Sequence, residues 1–97
     1  MVEGKYVANG FVMGTEMESH IDYHVEGNVL TGTMSVLDNV IEVLEGTVEG
    51  DNFKHLCQVP TPVGEMRVKI EGTVSGDEIT FTIKNPMGKS VFKGNRI

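Results

Sequence analysis

The 97-residue chain has one cysteine, no apolar run longer than five residues, and eight basic side chains against fourteen acidic ones. A lone cysteine excludes an internal disulfide and points to a reducing compartment, so the cytoplasm is the expected location. Runs this short exclude a transmembrane helix and the apolar stretch of a signal peptide, and no membrane partner is expected. A net charge of -6 and a pI of about 4.9 argue against contact with a phosphate backbone, so no nucleic-acid partner is expected either. What is present is 39% hydrophobic and 23% charged residues at a mean hydropathy of -0.09. That composition describes a single globular domain spanning 1–97.

The chain repeats itself. Val25-Glu26-Gly27-Asn28, Val48-Glu49-Gly50-Asp51 and Val74-Ser75-Gly76-Asp77 share one phrase, each followed by an alternating run. Two of them follow the same approach, Leu44-Glu45-Gly46-Thr47-Val48 and Ile70-Glu71-Gly72-Thr73-Val74. A second phrase, Val12-Met13-Gly14, Pro62-Val63-Gly64 and Pro86-Met87-Gly88, marks the opposite strand ends (the P-x-G end below). At an offset of about 49, residues 12–45 match 62–94, which reads as two tandem halves, 1–49 and 50–97.

Val, Ile, Thr and Phe dominate the runs, and apolar residues recur at period 2. The Gly-Asn and Gly-Asp pairs sit where two-residue hairpin turns need positive φ. This pattern predicts eight strands near 4–11, 15–25, 29–37, 40–48, 52–59, 65–74, 78–84 and 89–96. Short connections make sequence neighbours antiparallel, and closure removes the two exposed edges. The expected fold is therefore all-β, an eight-stranded antiparallel up-and-down meander closed into a small barrel. An open meander that dimerises is the alternative. The barrel shape resembles streptavidin, the lipocalins and the fatty-acid-binding proteins. The repeated GTVxGD and P-x-G phrases are similar to those of a small bacterial family of β-repeat proteins, a resemblance that covers nearly the whole chain and implies no activity.

Registering the strands on the turns predicts which side chains face inward. The expected inner set includes Val7, Asn9 and Phe11; Met17, Ser19, Ile21, Tyr23 and Val25; Leu30, Gly32, Met34 and Val36. It continues with Val40, Glu42, Leu44, Gly46 and Val48; Phe53, His55, Cys57 and Val59; Met66 to Val74; Ile79, Phe81 and Ile83; Ser90, Phe92 and Gly94. Counting from the turns, Val25 faces Leu30, Tyr23 faces Gly32, Gly46 faces His55, Gly72 faces Phe81, and Gly94 lies near Asn9. The interior glycines then make room for bulky neighbours. Polar groups return at the P-x-G end as Ser19, Glu42, Asn85 and Ser90, and Met13, Met66 and Met87 form an adaptable apolar rim.

An apolar cup with a few polar groups at one mouth suits a small apolar or aromatic molecule. Its expected contacts are Asn9, Ser19, Tyr23, Met34, Glu42, Leu44, His55, Phe81, Ser90 and Phe92. An alternative is a cofactor-free lyase or isomerase, with His55 or Glu42 moving a proton and Tyr23 polarising a carbonyl. A third reading is an assembly module with a solid core. His20 and His24 are about 13 Å apart along a strand, too far for one ion, so neither a metal nor a cofactor is expected. Cys57 sits in an apolar layer that favours the inert thiol. Outward Leu37, Ile41 and Val43 would make an apolar patch, and a homodimer is expected from it.

Overall fold

A strand that is apolar on one face must bury that face, and hydrogen-bonding groups along both edges must find partners. The computed structural model describes residues 2–12, 14–36, 39–61, 64–85 and 88–97, and these form nine strands. They are β1 (Gly4–Val12), β2 (Thr15–Glu26), β3 (Val29–Val36), β4 (Asn39–Glu42), β5 (Leu44–Glu49), β6 (Asn52–Thr61), β7 (Gly64–Ser75), β8 (Glu78–Asn85) and β9 (Gly88–Arg96). All neighbours pair antiparallel, and β1 pairs with both β2 and β9, so eight strands close into a barrel with β4 as an extra strand on β3. No helix among the described residues is long and apolar enough to cross a membrane.

The turn chemistry acts where the repeats place it. Glu26 pairs with Val29, Glu49 with Asn52 and Ser75 with Glu78, leaving two-residue loops. Gly27, Gly50 and Gly76 take φ of 65°, 64° and 61°, while the Asn or Asp that follows stays at negative φ. A glycine in the first central position is the type II′ arrangement, whose twist matches that of the flanking strands.

Rings fill the interior. Phe81 and Phe92 stack with centroids 5.2 Å apart, Tyr23 meets Phe53 edge-on at 5.2 Å, and Tyr6 meets Tyr23 at 6.3 Å. Gly72 pairs with Phe53 on one side and Phe81 on the other. A β-carbon there would lie 2.6 Å from Phe53 Cζ and from Phe81 Cβ, so this glycine does make room for its neighbours. Tyr23 opposite Gly32 and Val25 opposite Leu30 also follow the count from the turns.

Two strands depart from the expected phase. On β1 the buried set is Tyr6, Ala8 and Gly10, while Asn9 is exposed and Phe11 is 63% exposed. Gly94 accordingly pairs with Ala8 rather than lying beside Asn9. Both phases of β1 carry one aromatic, so alternation alone does not choose between them. Tyr6 wins because its hydroxyl donates to the Val2 carbonyl at 2.6 Å and the Arg96 guanidinium lies 4.9 Å over its ring.

The second departure is the strand expected over 40–48, which breaks at Val43 into β4 and β5. Val40 is 75% exposed and Glu42 is exposed, whereas Ile41 and Val43 are buried. The expected apolar outer patch is therefore inside as far as Ile41 and Val43 go, and Leu37 lies outside the described residues. The β5–β6 register shifts between Leu44↔Leu56 and Thr47↔Lys54, and Glu45 takes φ 49°. This bulge inserts a residue and flips the alternation, so Gly46 is buried although Glu42, in phase with it, is not. Gly46 pairs with Leu30 of β3, and no ladder pair joins it to His55.

Candidate functional site

β6 carries the chemistry because it turns Phe53, His55 and Cys57 inward, all buried. His55 lies opposite the bulge, where the β5–β6 ladder is interrupted, and its ring reaches across the barrel to β2. Tyr23 Oη and His55 Nε2 are 2.6 Å apart, and the two rings meet edge-on at 5.4 Å. His55 Nδ1 lies 3.3 Å from the Leu56 carbonyl and 3.5 Å from Cys57 Sγ. The carbonyl can only accept, which assigns the proton to Nδ1 and leaves Nε2 to accept from the Tyr23 hydroxyl. Met34 Sδ completes the cluster, 3.8 Å from Tyr23 Oη and 4.0 Å from Cys57 Sγ.

Burial sets the protonation states. Desolvation lowers His55 from its ordinary 6.5 to about 4, against a smaller opposing effect of the Leu56 carbonyl. Burial pushes the Tyr23 hydroxyl well above its usual range and the Cys57 thiol up to about 12. At neutral pH the cluster is therefore a neutral imidazole, a neutral phenol and an inert thiol. Such a set holds a proton in place and passes it on only if a polar group comes within reach.

Nearer the P-x-G end the interior changes character. Met17, Val59, Met66 and Ile83, each two residues in from the end of its strand, are only partly buried against the core, as is Val12 at the end of β1. Ser90 of β9 is half-buried at the same level. Two residues deeper sit Ser19, Cys57, Val68 and Phe92, all buried. Ser19 Oγ has no hydrogen-bond partner among the described residues, although the residue is 1% exposed. Here, too, the ladders thin out: the β2–β3 ladder begins only at His20↔Ser35, and beyond Leu56 β6 pairs only with β7 among the described residues. Among the described residues, partly buried apolar side chains thus lie above a buried polar cluster at this end of the barrel.

The structure brings together Ser19, Tyr23, Met34, His55, Phe81 and Phe92 in the interior, and leaves Leu44 and Ser90 half-buried. It places Asn9 and Glu42 on the outer wall, so no carboxylate joins His55 among the described residues. Met13, Met87 and the Asn85 side chain lie outside the described residues. Sequence reasoning turns Met17, Val59 and Ile83 inward but leaves them out of the expected contacts; they share the period-2 face of Ser19, Cys57 and Phe81, and following that face to the strand ends would add them. His20 and His24 pair on the outer wall with Glu18 at 2.9 Å and Asp22 at 3.3 Å.

The fold and the site define a small closed β-barrel with a buried tyrosine–histidine pair and partly buried apolar side chains toward the P-x-G end. No protein-family model, curated protein or solved structure matches the chain. The resemblance to a β-repeat family thus rests on the repeated phrases alone.

Proposed function

We propose that the protein binds a small apolar or aromatic molecule at the P-x-G mouth of the barrel. The observation that carries this reading is the Ser19 hydroxyl, buried and without a partner among the described residues, below a set of half-buried apolar side chains. A buried hydroxyl without a partner costs about 1–3 kcal/mol, and a ligand carbonyl or hydroxyl seated in the mouth would relieve that cost. The surrounding Met17, Met34 and Met66 are soft enough to adapt to an aliphatic or aromatic body. Lower down, the aromatic packing leaves the ligand to the upper half of the barrel.

The test is an amide NMR titration with 1-anilinonaphthalene-8-sulfonate and with small aromatic and aliphatic ketones. Saturable shifts at Met17, Ser19, Met66 and Ser90 are the expected result, and Ser19→Ala is expected to weaken the ketones more than the hydrocarbon analogues. Shifts confined to the outer wall, or none, would overturn the reading in favour of an assembly module with a solid core.

The lyase or isomerase reading ranks second. The Tyr23–His55 hydrogen bond beside a bulge favours it, since bulges often lie next to active sites. Against it, both residues are sealed from solvent and Glu42 stands outside.

A further inference from the structure

The two walls of the barrel carry opposite charge. Residues 1–49 hold nine of the fourteen acidic residues and one of the eight basic ones, whereas 50–97 hold five acidic and seven basic. Because β2, β3 and β5 are contiguous around the barrel and β6 to β9 follow them, this asymmetry becomes an acidic wall facing away from a basic one. On the basic wall Lys69 pairs across strands with Lys84, and Lys84 with Lys89, a row of three like charges on directly opposed positions. Such pairs are destabilising by themselves. Glu71 neutralises part of the row, lying 3.0 Å from Lys69 and 3.4 Å from Lys84, and the two lysines hold its carboxyl below the usual range. Lys54, Arg67, Lys89 and Lys93 make no ion pair among the described residues, and all four are exposed. A groove of about 1130 Å³ runs past Lys54, Glu71, Thr82, Lys84 and Lys89 and is lined also by Thr47 and Glu49 of the acidic half.

We propose that the basic wall docks the acidic wall of a second copy of this chain. The acidic wall offers Glu16, Glu26 and Glu42, exposed and without ion pairs among the described residues. Glu71 between its lysines is an internal example of the contact that the wall favours. The molecule measures 36 × 24 × 21 Å, so its broad faces can supply the roughly 800 Å² per partner that a stable interface uses. Because the two surfaces differ and lie on opposite sides, the contact is head-to-tail and leaves one wall free at each end, so assembly continues past the dimer. This surface is separate from the mouth and independent of any ligand there.

Sedimentation of the whole chain at rising concentration provides the test, at salt of about 0.1 M and about 1 M, where the screening length falls from roughly 10 Å to 3 Å. The expected result is a mean mass that climbs beyond twice 10.6 kDa in the lower salt. Association is expected to weaken by about tenfold or more in the higher salt, the effect of screening a few surface pairs. A basic-wall variant, Lys69→Glu/Lys84→Glu/Lys89→Glu, and an acidic-wall variant, Glu16→Lys/Glu26→Lys/Glu42→Lys, should each be monomeric. Mixed, they should associate again and alternate past the 1:1 complex, because the two reversed walls complement each other in charge as the native ones do. Circular dichroism melts check that both variants fold, and the milder Lys→Gln and Glu→Gln sets should give intermediate association if the reversals unfold. A wild type that stays monomeric in the lower salt, association indifferent to salt and to the reversals, or a mixture that stays monomeric would each overturn the proposal. So would a monomeric wild type that binds a poly-glutamate peptide instead.

Discussion

The segment Glu-Gly-Thr-Val occurs twice and takes two backbone paths. In β7, Glu71 to Val74 run as regular strand, paired with β6 on one side and β8 on the other. In β5, Glu45 to Val48 begin with a left-handed residue, and the ladder to β6 skips. Four identical residues cannot account for the difference, so it comes from their partners. β7 lies between two long strands that hold its register from end to end. β5 follows the break at Val43 and shares β3 with β4, so the chain must shift phase to bury Ile41 and Val43 above the bulge and Gly46 below it. β6 lies between both copies, and His55 sits at the position where they differ. A bulge on one side and a straight ladder on the other leave room beside β6 for an imidazole bonded to Tyr23.

The largest expected effect concerns that imidazole. The folded state holds His55 at about 4, below its ordinary 6.5. Between those values the unfolded chain binds a proton that the folded one refuses. Stability is therefore full above pH 6.5 and falls as the pH drops toward 4, by about 3 kcal/mol. Urea melts across this range check it, with His55→Phe expected to remove most of the slope. A slope that survives in that variant would assign the loss to other groups.

Next comes the straight copy. Gly72→Ala puts a β-carbon 2.5 Å from the Thr80 carbonyl oxygen and against two rings, and should cost about 2–3 kcal/mol by overpacking. A denaturation midpoint unchanged by this variant would mean that β7 is free to shift.

The strained copy should respond in the opposite direction. Glu45→Gly relieves a left-handed non-glycine residue and should stabilise the fold by about 0.5–1 kcal/mol, whereas Glu71→Gly, at the matching position, should destabilise it. If both substitutions destabilise, the two copies share one backbone path in solution and the contrast fails.

Smallest is the effect of Glu71→Gln, which leaves Lys69 and Lys84 facing each other. Thermal melts should show a slight loss at low salt that disappears at high salt. A loss independent of salt would point to packing rather than charge.

Most of the barrel can be read from the residues, for reasons particular to each strand. β2 alternates Met17, Ser19, Ile21, Tyr23 and Val25 with Glu16, Glu18, His20, Asp22 and His24, so only one face can go inside. The glycine-led turns then carry that phase to β3, and likewise from β7 to β8. β1 defeats this reasoning because Tyr6 and Phe11 sit in opposite phases. The segment Val40-Ile41-Glu42-Val43-Leu44 defeats it because apolar residues occupy both faces and a bulge leaves no mark in composition. The candidate site divides the same way. Tyr23 and His55 are legible as inward polar residues at matching depth, whereas the misassigned phases of Asn9 and Glu42 put two exposed residues among the expected contacts.

Period-2 alternation and three glycine turns, by themselves, determined an all-β antiparallel meander with most of its inner face. Those features act locally, between residues that touch within one hairpin. Tertiary structure alone decided where the chain breaks at Val43, which face of β1 is buried, and that the Tyr23 hydroxyl donates to His55 across the barrel. Each depends on partners far apart in sequence, brought together only once β1 closes on β9.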